Sequence, residues 1–233
     1  MTAGQSATGS APGLRERKKQ RTRAALLRTA LELFTTKGYE ETTVDEIADA
    51  VEVSQRTFFR YFSSKEAAAF ALQQMTEQHF LQALRLRPAE EGPFDALRNS
   101  VLSTWDTIGE AITEIVPVGV HLRMLQVIES TPTLLAAHLR RSLDVEEYVA
   151  RLIADREGLD VDADPRPRVA VACFGSVMRV TGQLWVRSND PSLDGLRALT
   201  VAYLDHLAPT LATNWRETAA APADPGAAGT DSA

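Results

Sequence analysis

The segment 42–65, TTVDEIADAVEVSQRTFFRYFSSK, limits most strongly what this chain can fold into. Thr43 and Glu46 have the spacing of a capping box, which predicts the start of a short helix. Ser54 is a favoured N-cap residue and predicts the start of a second helix soon afterwards. The chain between them, near 51–53, is long enough only for a tight turn. The sequence therefore predicts a helix-turn-helix.

Aromatic residues are concentrated in the second of these helices. The whole chain has 8 Phe, 4 Tyr and 3 Trp, and four of these residues fall within positions 58–62, beside Arg56 and Arg60. Phe58 and Phe62 are about one helical turn apart, so we expect them to pack inward together. The other side chains of the helix then lie toward its outer face: Gln55, Arg56, Thr57, Phe59, Arg60 and Tyr61.

This outer face carries side chains suited to double-stranded DNA. In a helix-turn-helix, the second helix enters the major groove with its first turn at the base edges. Gln55 can bond adenine and Arg56 can bond guanine, each through two hydrogen bonds. Hydroxyl and ammonium groups nearby suit phosphates, as do the free amides at the helix starts near Thr43 and Ser64. The predicted DNA-binding residues are Thr43, Ser54, Gln55, Arg56, Thr57, Phe59, Arg60, Tyr61 and Lys65.

The distribution of charge agrees with a polyanion at the N-terminal end. The chain has a net charge of −6, yet residues 1–65 hold 11 Lys+Arg against 8 Asp+Glu. Between Arg15 and Arg28 there are seven basic residues and one acidic residue. Such a run can be an ordinary solvated face, but beside a helix-turn-helix it predicts an arm that contacts phosphates or the minor groove.

The rest of the chain has a helical period and no strand period, which predicts an all-α fold. A basic first helix begins near Leu14. Ser63 and Glu66 have capping-box spacing and predict a long helix that runs to about Leu86. The layout of residues 112–130 stays open. Three later helix starts are predicted where proline can occupy the first helical position, at Thr131–Pro132, Asp164–Pro165 and Asp190–Pro191.

Several classes of function lack support in the sequence. Cys173 is the single cysteine, which excludes an intramolecular disulfide and favours a reducing cytoplasm. No apolar run of the ~20 residues needed for a membrane span is evident, so we expect no membrane partner. The four histidines have no metal-ligand spacing, and the common catalytic motifs are missing. We therefore expect a cytoplasmic protein without metal, cofactor or enzymatic activity.

The basic first helix followed by TTVDEIADAVEVSQRTFFRYFSSKEAA resembles the DNA-binding region of TetR-family transcriptional regulators. The resemblance covers about residues 15–70. It implies an all-helical homodimer, in which each subunit has a helix-turn-helix head and a larger ligand-sensing body. Glu52 departs from the pattern, because the family commonly has Gly in this turn. A residue other than Gly at positive φ costs on the order of 1 kcal/mol, so the turn geometry is left open.

The resemblance also implies what the body does. Its last two long helices would pair with those of a second subunit, helped by small residues at Ala172, Gly175, Ser176 and Gly182, although these could also pack within one subunit. The segment LRMLQVIESTPTLLAAHLRR is similar to family members that sense acyl-thioesters or other apolar metabolites. Arg123 and Arg179 are further polar candidates. The candidate ligand contacts, each of which could equally be ordinary core or surface, are Trp105, His121, Met124, Phe174, Met178 and Trp185.

Together these inferences predict four regions. They are a disordered arm (1–13), a helix-turn-helix domain (14–64), a helical ligand-binding and dimerisation domain (65–215) and a disordered tail (216–233). The predicted function is a ligand-responsive repressor that binds a near-palindromic DNA operator as a homodimer. A small apolar or amphipathic molecule would release it. The alternative is a helical carrier or enzyme for a small apolar molecule, with only non-specific DNA contact.

Overall fold

The computed structural model describes residues 13–188 and 192–212, which form ten α-helices and no strands. The predicted tail, the predicted arm apart from Gly13, and the Asp190–Pro191 start signal lie outside the described residues. The helices are α1 (Leu14–Thr36), α2 (Val44–Ala50), α3 (Gln55–Tyr61), α4 (Lys65–Ala69), α5 (Ala71–Arg85), α6 (Pro93–Ile115), α7 (Val118–Ser130), α8 (Pro132–Glu157), α9 (Arg166–Val186) and α10 (Leu193–Ala212). The all-α prediction is confirmed.

Helices α1 to α3 form the head, and local chemistry sets where the two short ones begin. The side chain of Thr43 accepts the N–H of Glu46, while the carboxylate of Glu46 accepts the N–H of Thr43 at 2.9 Å. This is the predicted capping box. The hydroxyl of Ser54 accepts the N–H of Thr57 at 3.2 Å and caps α3. Both short helices pack on the buried stripe of α1, which consists of Leu26, Leu27, Ala30, Leu31 and Phe34.

The turn between α2 and α3 has the geometry of a Schellman motif. The N–H of Val53 bonds the carbonyl of Ala48, and the N–H of Glu52 bonds that of Asp49, each at 3.0 Å. This pattern places Glu52 in the left-handed region, with φ at 56°. Gly158, with φ at 65°, has the same position after α8 without a Cβ. The turn therefore has the left-handed geometry that usually requires Gly, and the Cβ of Glu52 makes this geometry sterically unfavourable.

The prediction of one unbroken helix from Ser63 to about Leu86 is wrong, because this segment is divided at Phe70 into α4 and α5. Phe70 has φ −93° and ψ 5°, outside the regular helical range. Its ring is buried and stacks on His138 of α8, with the ring centroids 6.2 Å apart. The cap also differs from the prediction. Ser64, rather than Ser63, accepts the N–H of Ala67 at 3.0 Å.

Two hydrophobic clusters hold the molecule together. The first includes the buried residues of α1 to α4, and it continues into α6, α7 and α8 through residues such as Ile112, Met124 and Leu134. The second joins α5, α6, α8, α9 and α10 around Leu97 and Phe174. Burial of each large aliphatic side chain contributes roughly 1.5–3 kcal/mol. The first cluster therefore crosses the predicted domain boundary near residue 64, and it couples the head mechanically to the body.

Helix α9 contains a long, mostly apolar stretch. It is long and apolar enough to cross a membrane, as is the pair α6 and α7 if the two are counted together across their 98° bend. The expectation that no apolar run has this length therefore does not hold. Yet α9 packs against both α8 and α10, with Arg166 and Arg168 in its first turn and Arg179 in its second half. Its composition matches a bundle helix with one face left open.

The small residues of α9, which were predicted to allow close approach of a second subunit, lie on different faces of the helix. Ala172 and Ser176 are exposed on the outer side of the helix. Gly175 faces α8, because a Cβ placed there would come within 2.5 Å of the carboxylate of Glu146. Gly182 lines a cavity inside the body. The close approach at Gly175 is therefore made within one subunit, which was the alternative interpretation of these residues.

Candidate nucleic-acid interface and effector cavity

The first turn of α3 presents polar side chains to solvent. Gln55 and Arg56 are exposed directly after the Ser54 cap. Phe59, one turn later, is 48% exposed although it is a large apolar residue. Phe58 on the opposite side is fully buried, and its ring centroid lies 5.4 Å from that of Phe62. The inward and outward sets are therefore placed as the helical spacing predicts.

A basic groove lies between the start of α1 and the end of α3. Its lining includes Arg15, Lys18 and Lys19 from α1, with Arg60 and Tyr61 from α3. The guanidinium of Arg60 lies 5.0 Å from the ring centroid of Tyr61 and donates a hydrogen bond to its hydroxyl at 3.3 Å. The basic run of α1 thus lies beside the end of α3, because residues of both helices line this groove, together with the acidic Glu16.

Four of the predicted DNA-binding residues already have structural partners. Thr43, Ser54 and Thr57 form the helix caps described above, and the hydroxyls of Ser54 and Thr57 lie 3.0 Å apart. The ammonium group of Lys65 donates to the carbonyls of Tyr39 at 2.7 Å and Thr42 at 2.9 Å. It also lies 4.2 Å from the ring centroid of Tyr39. These side chains set the position of α3, and their direct contact with DNA stays a prediction.

The start of α2, where a phosphate contact was predicted near Thr43, carries negative charge. Asp45 and Glu46 occupy its first turn. Hydrogen bonds from Lys37 and from the backbone of Thr43 lower the pKa of the Glu46 carboxyl to about 2, so it is ionised at neutral pH. Two carboxylates beside the free amides would repel a phosphate, and the side chain of Thr43 serves as a cap.

The body contains two adjoining cavities. The first, of about 310 Å³, lies among α5 to α10, and Trp105, His121 and Trp185 are among its lining residues. The second, of about 350 Å³, lies among α5, α8 and α9, and Phe174 is among its lining residues. Volumes above about 300 Å³ are typical of small-molecule sites. Five residues line both cavities, namely Gln73, Thr76, His138, Met178 and Arg179.

Most of the predicted ligand contacts line these cavities. Trp105, His121, Met178 and Trp185 line the first, while Phe174 and Met178 line the second. Met124 lines neither cavity, because its side chain is buried in the cluster that joins head and body. Gln73, Thr76 and His138 were missed. Polar residues among apolar ones on α5 and α8 were the available signal, but only the packing shows that they face inward.

The two histidines of the first cavity are held neutral. Burial lowers the pKa of His121 to about 4. Burial, with the nearby charges of Arg141 and Arg179, also lowers the pKa of His138. Within the described part of the chain, no group of three His, Cys, Asp or Glu side chains could hold a metal ion. The cavity therefore presents neutral imidazoles, two indoles and aliphatic walls.

Head and body touch through specific polar bonds as well as through the shared core. The guanidinium of Arg28 on α1 donates to the carbonyl of Ile115 at 2.7 Å and to that of Glu114 at 3.3 Å. These carbonyls end α6, the helix that contributes Trp105 to the cavity. Thr133 at the start of α8 donates to the carboxylate of Glu40 at 2.9 Å. A shift of α6 or α8 would therefore reach the head directly.

This arrangement defines a class of protein: an all-helical helix-turn-helix DNA-binding protein whose head is joined to a cavity-bearing body. Residues 26–72 match the family described as bacterial regulatory proteins, tetR family, and residues 91–212 match the MftR C-terminal domain. The chain is 45% identical over 209 residues to the HTH-type transcriptional regulator TcmR of Streptomyces glaucescens, covering 90% of this chain and 92% of that protein. The chain belongs to the TetR family and is a helix-turn-helix transcriptional regulator.

Two further similarities are more distant. The chain is 29% identical over 167 residues to the putative mycofactocin biosynthesis transcriptional regulator MftR of Mycobacterium tuberculosis, covering 70% of this chain and 79% of that protein. The crystal structure of NalD, the secondary repressor of the MexAB-OprM multidrug efflux pump in Pseudomonas aeruginosa, has a TM-score of 0.51 at 17% identity. That match covers 82% of this chain and 96% of NalD, and it shows a shared fold.

Proposed function

We propose that this protein is a ligand-responsive repressor. It binds a near-palindromic operator as a homodimer and releases that operator when a small molecule occupies the body. The observation that carries the proposal is the exposed first turn of α3, with Gln55 and Arg56 presented beside a basic groove. The proposal places the protein in the cytoplasm, where its operator lies.

In this proposal Gln55 and Arg56 read bases, while Arg60, Tyr61 and the basic residues of α1 contact phosphates or the minor groove. Phe59 is exposed where a thymine methyl group could cover it. Thr43, Ser54, Thr57 and Lys65 act mainly by positioning α3. An exchange of one carbonyl bond of Lys65 for a phosphate would be needed for direct contact.

The homodimer is proposed from the outer face of α9 and α10. Val169 is 59% exposed and Val180 is 42% exposed on α9, and Leu184 and Tyr203 are exposed beside them. Ala172 and Ser176 lie in the same face and would let a second α9 approach closely. In a two-fold dimer, the two α3 helices would lie about one DNA turn, ~34 Å, apart or at a multiple of that distance.

Release requires that the effector bind better to a body geometry that does not fit the operator. Two contacts support a route. His138, which lines both cavities, stacks on Phe70 at the break before α5, and Arg28 bonds the end of α6. An effector that moves α6 or α8 would thereby change the orientation of the head and the spacing of the two α3 helices.

Selection of bound sequences from random double-stranded DNA tests the operator proposal. We expect an inverted repeat to be enriched. Arg56→Ala should relax the preference at one position in each half-site, because a bidentate Arg–guanine pair discriminates by about 1–3 kcal/mol. Arg140→Ala, at an exposed position of α8, is the matched control. Failure to enrich any inverted repeat, or an unchanged preference in Arg56→Ala, would refute the proposal.

A further inference from the structure

The two body cavities adjoin, and we call them together the chamber. Gln73, Thr76, His138, Met178 and Arg179 line both of them. Trp105 and Trp185 line only the first cavity, while Phe80 and Phe174 line only the second and stack with their ring centroids 5.9 Å apart. A mostly apolar molecule with flat or chain-like parts would meet aromatic rings in both cavities.

The charged side chains that line the chamber are already paired. Glu77 bonds Arg141 at 2.6 Å, Glu146 lies 3.7 Å from Arg179, and Glu129 lies 4.0 Å from Arg187. The two histidines are neutral at physiological pH because burial lowers the pKa of each. A charged group on the ligand would therefore enter a low-dielectric site without a free counter-charge, which is costly. The chamber favours an uncharged ligand.

Two residues that line the chamber each have a buried polar atom without a hydrogen-bond partner. These atoms are Oε1 of Gln73 and Nδ1 of His121. An unpaired buried polar atom costs about 1–3 kcal/mol, so each such atom requires an explanation. Water can fill a chamber of this size, and a ligand that displaces it must replace its hydrogen bonds. The amide oxygen of Gln73 can only accept, whereas Nδ1 of a neutral imidazole donates or accepts according to its tautomer.

We propose that the effector is an uncharged, mostly apolar molecule with hydroxyl groups that bond Gln73 and His121. A hydroxyl satisfies both atoms whichever imidazole tautomer is present, because it can donate to Gln73 and either donate to or accept from His121. The phosphates of an acyl-thioester carrier would find no unpaired cation in the chamber. The regulatory role of this ligand rests on the proposed repressor function, but its chemistry does not.

Calorimetric titration of the full-length protein with three matched probes tests this chemistry. The probes are dihydroxynaphthalene, dimethoxynaphthalene, which lacks the O–H donors, and naphthalene dicarboxylate, which adds charge. We expect the diol to bind at least about tenfold more tightly than either of the others. In Gln73→Leu the preference for the diol over the diether should fall by about tenfold, while Gln78→Leu, an exposed position on the same helix, should retain it.

The same variants control for folding. Gln73→Leu replaces an unpaired buried amide with an apolar group of similar size, so its melting temperature should equal or exceed that of the wild type. A clear fall would show that Gln73 has a structural partner and would contradict the proposal. Equal affinity for all three probes, tightest binding of the dicarboxylate, or no saturable binding of any probe would also overturn it.

Operator binding is measured separately on protein without probe, so the two proposals fail independently. A protein that selects an inverted repeat but shows no preference for the diol would keep the repressor function and lose this ligand class. A protein that prefers the diol but selects no operator would keep the ligand class and lose the repressor function.

Discussion

The head and the body of this protein achieve stability by different means. The short helices α2 and α3 of the head and α4 beside them have 7, 7 and 5 residues, and each begins with a side-chain cap, from Thr43, Ser54 and Ser64. The long helix α1 of the head has no such cap. Helices α5 to α9 have 13 to 26 residues, and none of them begins with a side-chain cap. Helices of one or two turns are marginal alone, so short ones need local bonds, while long ones rely on buried faces.

The two regions also differ in what they leave unsatisfied. In the head the aromatic core is buried, and the ammonium group of Lys65 donates a hydrogen bond to the carbonyl of Tyr39 in the loop between α1 and α2. The body keeps a chamber with two unpaired polar atoms, and its α9–α10 face leaves large apolar residues exposed. The head thus has its caps and core satisfied within the chain, whereas the proposed ligand and second subunit would supply hydrogen bonds and apolar burial that the body lacks. The predictions below test this difference, beginning with the largest expected effect.

The exposed α9 face offers the strongest test. Val180→Glu would place an unpaired charge in the proposed dimer interface, at a cost of several kcal/mol. We expect a monomer in sedimentation analysis and at least about a hundredfold loss of operator affinity. Leu143→Glu, at a 65% exposed position of α8, is the control and should change neither property. A Val180→Glu protein that remains dimeric would show that this face is not the interface.

The chamber should make stability sensitive to acid through His121. Its folded pKa, about 4, is depressed from 6.5 by burial, so the unfolded state binds the proton first. Its contribution is fully present above pH 6.5 and is lost as the pH falls toward 4, by about 3 kcal/mol. Urea unfolding across this range should therefore show a shallower loss in His121→Phe than in the wild type. His138 is retained in both proteins, so equal slopes would refute the assignment to His121.

The junction between the two regions should have an intermediate effect. Arg28→Gln removes both bonds to the end of α6, and we expect it to lower the free energy of unfolding by about 1.5 kcal/mol. Arg28→Lys keeps the charge but cannot reach two carbonyls with one fork, so it should recover only part of the loss. Unfolding in urea measures both. An unchanged stability in Arg28→Gln would show that the bonds of Arg28 do not help to join head and body.

The sequence predicted the features of both regions that depend on local chemistry. The capping box at Thr43, the Ser54 cap and the stop at Gly158 each follow from a few neighbouring residues, and the structure has all three. The outward set on α3 followed from helical spacing. These signals are complete within one turn of chain, so no tertiary contact is needed to read them.

Features that depend on packing between distant segments could not be predicted. The break at Phe70 follows an alanine-rich run of high helix propensity, and the ring of Phe70 stacks there on His138 of a distant helix. Gly175 could not be assigned to its subunit-internal contact without knowing where Glu146 lies. Gln73 had no distinguishing local pattern, because an interior glutamine and a solvated one look alike until the neighbouring helices are placed.

The smallest expected effect concerns the one place where the head is strained. Glu52 occupies a left-handed position at φ 56°, where Gly would avoid the clash of its Cβ. Glu52→Gly should raise the free energy of unfolding by about 1 kcal/mol at most, since the greater freedom of unfolded glycine offsets part of the gain. Glu52→Gln keeps the strained Cβ and removes only the charge. If strain and charge act separately, only Glu52→Gly will be more stable than the wild type in urea unfolding. Glu52→Gly and Glu52→Gln will both bind DNA slightly more tightly than the wild type at low salt, because both lack the negative charge. Equal stability of all three proteins would show that the turn accommodates the Glu52 side chain without strain.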